Sequence, residues 1–299
     1  MTTNVTTTAP TLRVLARHEI RQYLNAKLYW FGAALLAAVT VVSVVGSAGN
    51  DSADHQASTA MDMIAPAALL GVLGLIIMAG LTRRSDRAAA AAGTVAVPER
   101  TRTAALVAAT VVPVATGLLW YTAAVVTYLV NPPTPDTVPI PPFGDGHVFT
   151  VMFALGVVPA LSGPILGLLI ARWLPRRGVT PLAVVLVVLV TIVMQGNFET
   201  TWHWRVVWPW TYWYGPVGWN TGEGRWAALP GSPQLWIAYL LALCVLGVLV
   251  AVYHDPESDR SRLRVLIAAT AVVAVAAVVL TMVFGLPEAT WNPVTGPVS

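Results

Sequence analysis

Seven stretches of this chain run for about a membrane's thickness without one charged residue or histidine. They are Leu28–Gly46, Met63–Leu81, Ala104–Val130, Val148–Ala171, Gly178–Gly196, Leu235–Tyr253 and Val265–Gly285. A helix crosses the hydrocarbon core in about 20 residues, whereas an unclosed sheet in lipid would leave its edge backbone groups unsatisfied. The sequence therefore predicts an all-α, polytopic membrane bundle of about seven transmembrane helices. Composition agrees: 10% of the 299 residues are charged and mean hydropathy is +0.69, whereas a soluble domain is roughly 25% charged. So few charges exclude ordinary soluble enzymes, disordered chains and, with a net charge of only +3, nucleic-acid binders. Cys244 is the single cysteine and cannot form an intrachain disulfide.

The charges are sorted between the spans. If the N-terminus is cytoplasmic, 15 of the 17 basic residues fall on inner segments, leaving Arg205 and Arg225 outside, while eight of the 14 acidic residues fall outside. This is the asymmetry that orients multi-pass proteins, and with seven spans it places the C-terminus outside. The first apolar run begins only at Leu28 and is long enough to span, which argues for a retained span and against a cleaved signal. One Lys against 16 Arg is the usage of a G+C-rich bacterial genome, so the expected location is a bacterial, actinobacterial-type, cell membrane. Three regions follow: an inner segment 1–27, a six-span region 28–253, and 254–299 with a seventh span.

Residues 11–28 read as a helix after Pro10 with Arg13, Arg17 and Arg21 in one row and Leu12, Ala16, Ile20, Tyr23 and Leu24 beside them; Glu19 interrupts the apolar side. It is either an amphipathic helix in the plane of the inner leaflet or an extension of the first span. The inner loop 82–103 carries Arg83, Arg84, Asp86 and Arg87, then Ala88–Ala92 and Gly93, which read as a short helix and its stop, then Pro98, Glu99, Arg100 and Arg102. Outside, 131–147 holds six prolines and reads as a stiff spacer. Segment 196–234 holds seven of the 12 tryptophans, namely Trp202, Trp204, Trp208, Trp210, Trp213, Trp219 and Trp226. It is expected at the outer membrane boundary, either as an interfacial anchor or as the lining of a path for an amphipathic molecule. In the fourth span Gly156, Ala160, Gly163 and Gly167 form a small-residue stripe for close helix packing, between subunits or within one chain. Pro159 and Pro164 should bend that span.

Catalytic signatures are missing. His18-Glu19 opens a zinc motif, but Gln22 stands where its second histidine belongs, and Lys27, the sole lysine, follows no glycine-rich phosphate loop. Glu199 and His203 are the weak remaining pair for a membrane-embedded enzyme. With no ionisable side chain inside the runs, coupling to protons or sodium within the membrane is disfavoured, and movement of a solute would draw energy from another subunit.

The order of these parts resembles the membrane subunit of an ABC-2 type ABC transporter. The resemblance rests on Arg17-His18-Glu19-Ile20-Arg21 leading into span one, on Val97-Pro98-Glu99-Arg100-Thr101-Arg102 leading into span three, and on the aromatic outer segment between spans five and six, covering about residues 11–253. It departs from the family in two respects: Gly93-Thr94 lacks acidic neighbours, and the seventh span exceeds the family's six. The resemblance implies an exporter subunit for an amphipathic or apolar compound, not itself an enzyme and without a cofactor of its own. ATP and magnesium would sit in a separate ATP-binding partner, a second membrane subunit would complete the path, and lipid, not nucleic acid, would surround it. It makes Arg17, Arg21, Arg83, Arg84, Arg87, Arg100 and Arg102 the ATPase-coupling residues and Trp202, Trp204, Trp208, Trp210 and Trp213 an outer gate. A membrane scaffold or regulator whose tryptophan-rich segment binds a ligand or lipid is the alternative.

Overall fold

A proline without an N–H, a helix former and a carbonyl left over at a break explain the first two elements. In the computed structural model, which describes residues 9–47, 64–93, 97–130, 145–176, 178–196, 203–210, 213–217, 225–228, 230–285 and 290–291, helix α1 (Ala9–Leu24) ends at Asn25–Ala26 and α2 (Lys27–Ser47) starts anew. The Trp30 indole donates to the Leu24 carbonyl at 2.7 Å, using one acceptor that the break releases. So α1 is not an extension of the first span. Its apolar side is covered within the chain toward its C-terminal end, where Tyr23 is 1% exposed and α1 packs chiefly on the helix that opens span three; Leu12 near its start is 37% exposed.

The second apolar run forms α3, which passes from Ile64–Pro66 through a π-helical turn, Ala67–Val72, into Leu73–Ala92. It continues through the arginines to Gly93, so the short inner helix expected around Ala88–Ala92 is the end of the membrane helix itself. Gly93 stops it with φ +60°, where a side chain would strain the backbone. Span three is α4 (Glu99–Ala109) and α5 (Val111–Val130), offset at Thr110. Span four is α6 (Asp145–Gly156) and α7 (Val158–Trp173), broken at Val157 just before Pro159. Proline donates no hydrogen bond to the preceding turn, which accounts for the break; Pro164 stays inside α7. Helices α8 (Val179–Gly196), α9 (Pro233–Tyr253) and α10 (Arg260–Val283) complete the bundle. Among the described residues six segments are long and apolar enough to cross a membrane, as in a multi-pass membrane protein; the apolar part of α8, Val179–Met194, is shorter.

The centre of the bundle is the α3–α7 contact. A Cβ on Gly163 would run into the Gly71 backbone, and one on Gly167 into the Leu75 carbonyl. The small-residue stripe thus lies in an intrachain contact, where two backbones approach because neither side chain intervenes. Gly156 makes the notch for the Trp120 ring of α5, and Gly74 leaves room for the Pro164 ring. Helix α9 packs on α7 and carries α10 on its far side. Helices α2 and α10 are covered over only 17% and 22% of their apolar windows, leaving broad apolar faces for lipid.

A small antiparallel sheet accompanies the helices. Strands β1 (Tyr214–Val217) and β2 (Arg225–Ala228) pair Tyr214 with Ala228 and Val217 with Arg225, and β3 (Thr290–Trp291) adds to β2. Valine, tyrosine and tryptophan suit extended backbone, a preference hidden when that segment is read only for its interfacial tryptophans.

The glycine contact yields a test. Gly163→Leu should lower the thermal unfolding midpoint in detergent, an overpacking cost of about 1–3 kcal/mol or more. Gly80→Ala, whose new Cβ meets nothing within 4 Å, should leave the midpoint unchanged or raised.

Candidate functional site

The arginine-rich end holds more ion pairs than a solvated loop needs. Arg172, in the last turn of α7, has a side chain only 1% exposed. Its Nη1 donates to Asp86 Oδ1 of α3 at 2.5 Å and lies 3.3 Å from Glu99 Oε1 of α4, while Nη2 donates to Thr103 Oγ1 at 3.2 Å. Arg102 donates to the same Asp86 oxygen at 2.8 Å and to the Ser85 carbonyl at 3.1 Å. Glu99 Oε1 lies 2.7 Å from His254 Nδ1 just beyond α9, and Asp255, 2% exposed, accepts from the Arg100 backbone N–H at 2.9 Å. One buried guanidinium therefore links the ends of α3, α4 and α7, and Glu99 extends that link to the end of α9.

A second arm reaches α1. Arg84 donates to Gln22 Oε1 at 2.6 Å and stands 3.7 Å from Glu19 Oε2. The glutamate that spoils the apolar side of α1 is thus buried beside an arginine of the inner loop. Burial, the larger effect, pushes the Glu19 carboxyl above its ordinary range, and the charges of Arg84 and His18 pull it back. Arg83 donates to Thr180 Oγ1 of α8 at 2.6 Å.

The seven arginines implied as coupling residues therefore divide. Arg83, Arg84 and Arg102 are tied to neighbouring elements, whereas Arg17, Arg21, Arg87 and Arg100 lie on the surface. Arg87 donates to the Arg83 carbonyl at 3.3 Å. Arg13, Arg17, His18 and Arg21 are all exposed on the side of α1 that faces away from α4. Sequence reasoning missed Arg172, Asp86, Glu99, His254 and Asp255. The available signal was six acids, Asp86, Glu99 and Asp255 among them, kept on the side that holds 15 of the 17 basic residues.

At the other end the tryptophans are built in rather than loosely laid on. The 3-10 turn His203–Val207 offers the Val206 carbonyl to the Trp236 indole at 2.8 Å and the Val207 carbonyl to the Tyr239 hydroxyl at 2.7 Å. Trp213 is fully buried with its ring 5.6 Å from that of Trp236, and Trp210 is 9% exposed. Trp208 lies 5.9 Å from Trp210 and donates to Thr191 Oγ1 of α8 at 3.0 Å; Trp204 is 38% exposed. Trp202, Trp219 and Glu199 lie outside the described residues, as does most of the 131–147 spacer, and of His203 only the backbone is described. The segment is a cap joined to α8 and α9, with Arg205 7% exposed beneath it and its pKa lowered by that burial.

The chain matches no family model, no curated protein and no solved structure. The reading of the site therefore rests on its own geometry. Among the described residues no three His, Cys, Asp or Glu side chains converge as metal ligands. What the arginine-rich end does structurally is connect α1 and the end of α3 to α4, α7 and α9 through hydrogen bonds and ion pairs.

Two outcomes follow. Arg172→Met leaves Asp86 and Glu99 facing each other without their shared cation and should cost about 3–5 kcal/mol, whereas Arg87→Gln should stay within about 0.5 kcal/mol, both read from unfolding midpoints. For Glu19 the raised folded-state pKa means stability is fullest below the unfolded value of about 4.5 and declines as pH rises through the folded value. Glu19→Gln lacks that decline, so its unfolding midpoint should gain on the wild type as pH rises from 4 to 7.

Proposed function

We propose that the chain is the membrane-spanning permease subunit of an ABC-2 type exporter for an amphipathic or apolar compound, energised by a separate ATP-binding subunit that carries ATP and magnesium. The observation that carries this reading is the division of the arginines. Exposed Arg17, Arg21, Arg87 and Arg100 offer cationic surface for docking, while Arg84, which is also exposed, Arg102 and Arg172 tie four helices together through ion pairs. A partner that changes shape on binding ATP would act by holding two arrangements of this end with different affinity.

In the proposed topology α8 is a seventh crossing. Its 18 residues reach about 27 Å, close to the roughly 30 Å core, and the N-terminus is cytoplasmic. The tryptophan cap is the outer gate, with Trp208 and Trp210 against α8 and Trp213 against α9. The exposed apolar faces of α2 and α5 supply area for a second membrane subunit.

Reconstitution decides the matter. Arg17→Glu/Arg21→Glu and Arg87→Glu/Arg100→Glu proteins should keep the wild-type unfolding midpoint within about 0.5 kcal/mol per surface change, yet lose copurification with the ATP-binding subunit and nucleotide-dependent transport. Wild-type protein that brings down no ATP-binding protein from native membranes, or unaltered transport in both variants, would sink the proposal.

A further inference from the structure

The start of α10 shows a different arrangement of cations from the site above. Arg260 and Arg264 stand one turn apart, and both guanidinium carbons lie over the ring of Tyr253 at the end of α9, 5.8 and 6.0 Å from its centre. Arg264 Nε also donates to the Tyr253 hydroxyl at 3.0 Å. Both arginines are exposed, and among the described residues neither has an ion pair. The neighbouring Asp259 caps the helix instead, accepting from the Arg262 N–H at 3.1 Å. Two like charges one turn apart repel each other, and at a helix N-terminus they also face the positive end of the dipole. The tyrosine ring holds them together all the same, through its electron-rich face.

The same side of α10 continues away from Arg264 as an exposed strip through Ala268, Val272, Val275 and Val279 at steps of four and three residues. Val272 is 68% exposed and Val275 61%. A pair of cations at the headgroup level with a bare aliphatic track running from it into the bilayer matches one chemistry, a phosphodiester attached to an acyl chain. We infer that Arg260 and Arg264, positioned by Tyr253, bind the phosphate of an anionic phospholipid whose acyl chain lies along Val272, Val275 and Val279. The planar guanidinium forks suit the two free phosphate oxygens. A zwitterionic choline lipid carries its own cation beside the phosphate and competes poorly. Nothing in this inference depends on the transport reading.

The test uses the full chain in vesicles containing phosphatidylglycerol with a photoactivatable acyl chain, with labelled peptides located by mass spectrometry. Labelling should concentrate on α10 between Val272 and Val279, and unlabelled phosphatidylglycerol, but neither phosphatidylcholine nor inorganic phosphate, should compete it away. Arg260→Gln/Arg264→Gln should weaken the labelling about thirtyfold, from roughly a tenfold or smaller factor for each cation at the surface. Arg13→Gln/Arg17→Gln should leave it unchanged. If the neutral variant fails to fold, Arg260→Lys/Arg264→Lys decides, since it keeps both charges but loses the stacked forks, and should weaken labelling about three- to tenfold. Labelling spread evenly over all exposed helices, competition by inorganic phosphate, or a lysine variant equal to wild type would each overturn the assignment.

Discussion

A guanidinium removed from water must be met by carboxylates, and the burial of Arg172 sets how one end of this bundle assembles. Its side chain is almost fully covered, so Asp86 and Glu99 have to arrive from two other helices before the end of α7 can close. Each acid then serves another cation as well: Asp86 also takes Arg102, and Glu99 also takes His254. The cost of burying Arg172 is offset by the two carboxylates beside it. Four helix ends are thereby tied into one ionic cluster.

The bundle's middle has the opposite character. Between α3 and α7 the closest contacts are made by Gly71, Gly163 and Gly167 against backbone, with no side chain between the two helices at those points. Around this tight pair the remaining helices are covered less and less, until α2 and α10 have most of their aliphatic surface uncovered within the chain. Stiffness at the centre and ionic ties at one end divide the molecule into a fixed core and an end that partners can reach.

Much of the fold was legible because lipid leaves a chain few options. Charge-free runs gave the helices to within two residues in α2 and α9 and missed the arginine-bearing first turn of α10, and Gly93 marked the end of α3. What could not be read was pairing. Glu19 looked like a flaw in an amphipathic pattern because its partner, Arg84, lies 65 positions away; Arg172 looked like one more positive anchor because nothing local reveals that it is buried. Composition identified the arginines and tryptophans, but periodicity carries no information on which of them face each other. The strands escaped for a related reason, since β3 comes from the far end of the chain to pair with β2.

The π-helical turn of α3 has a consequence for how the two ends relate. One additional residue in a turn rotates everything beyond it by about 100° relative to an uninterrupted helix. Ala67, within the turn, shares a buried cluster with Trp210 of the cap, and Met78, beyond it, shares one with Leu168 of α7. The turn thus sets the angle between the face of α3 that meets the tryptophan cap and the face that leads down to Asp86.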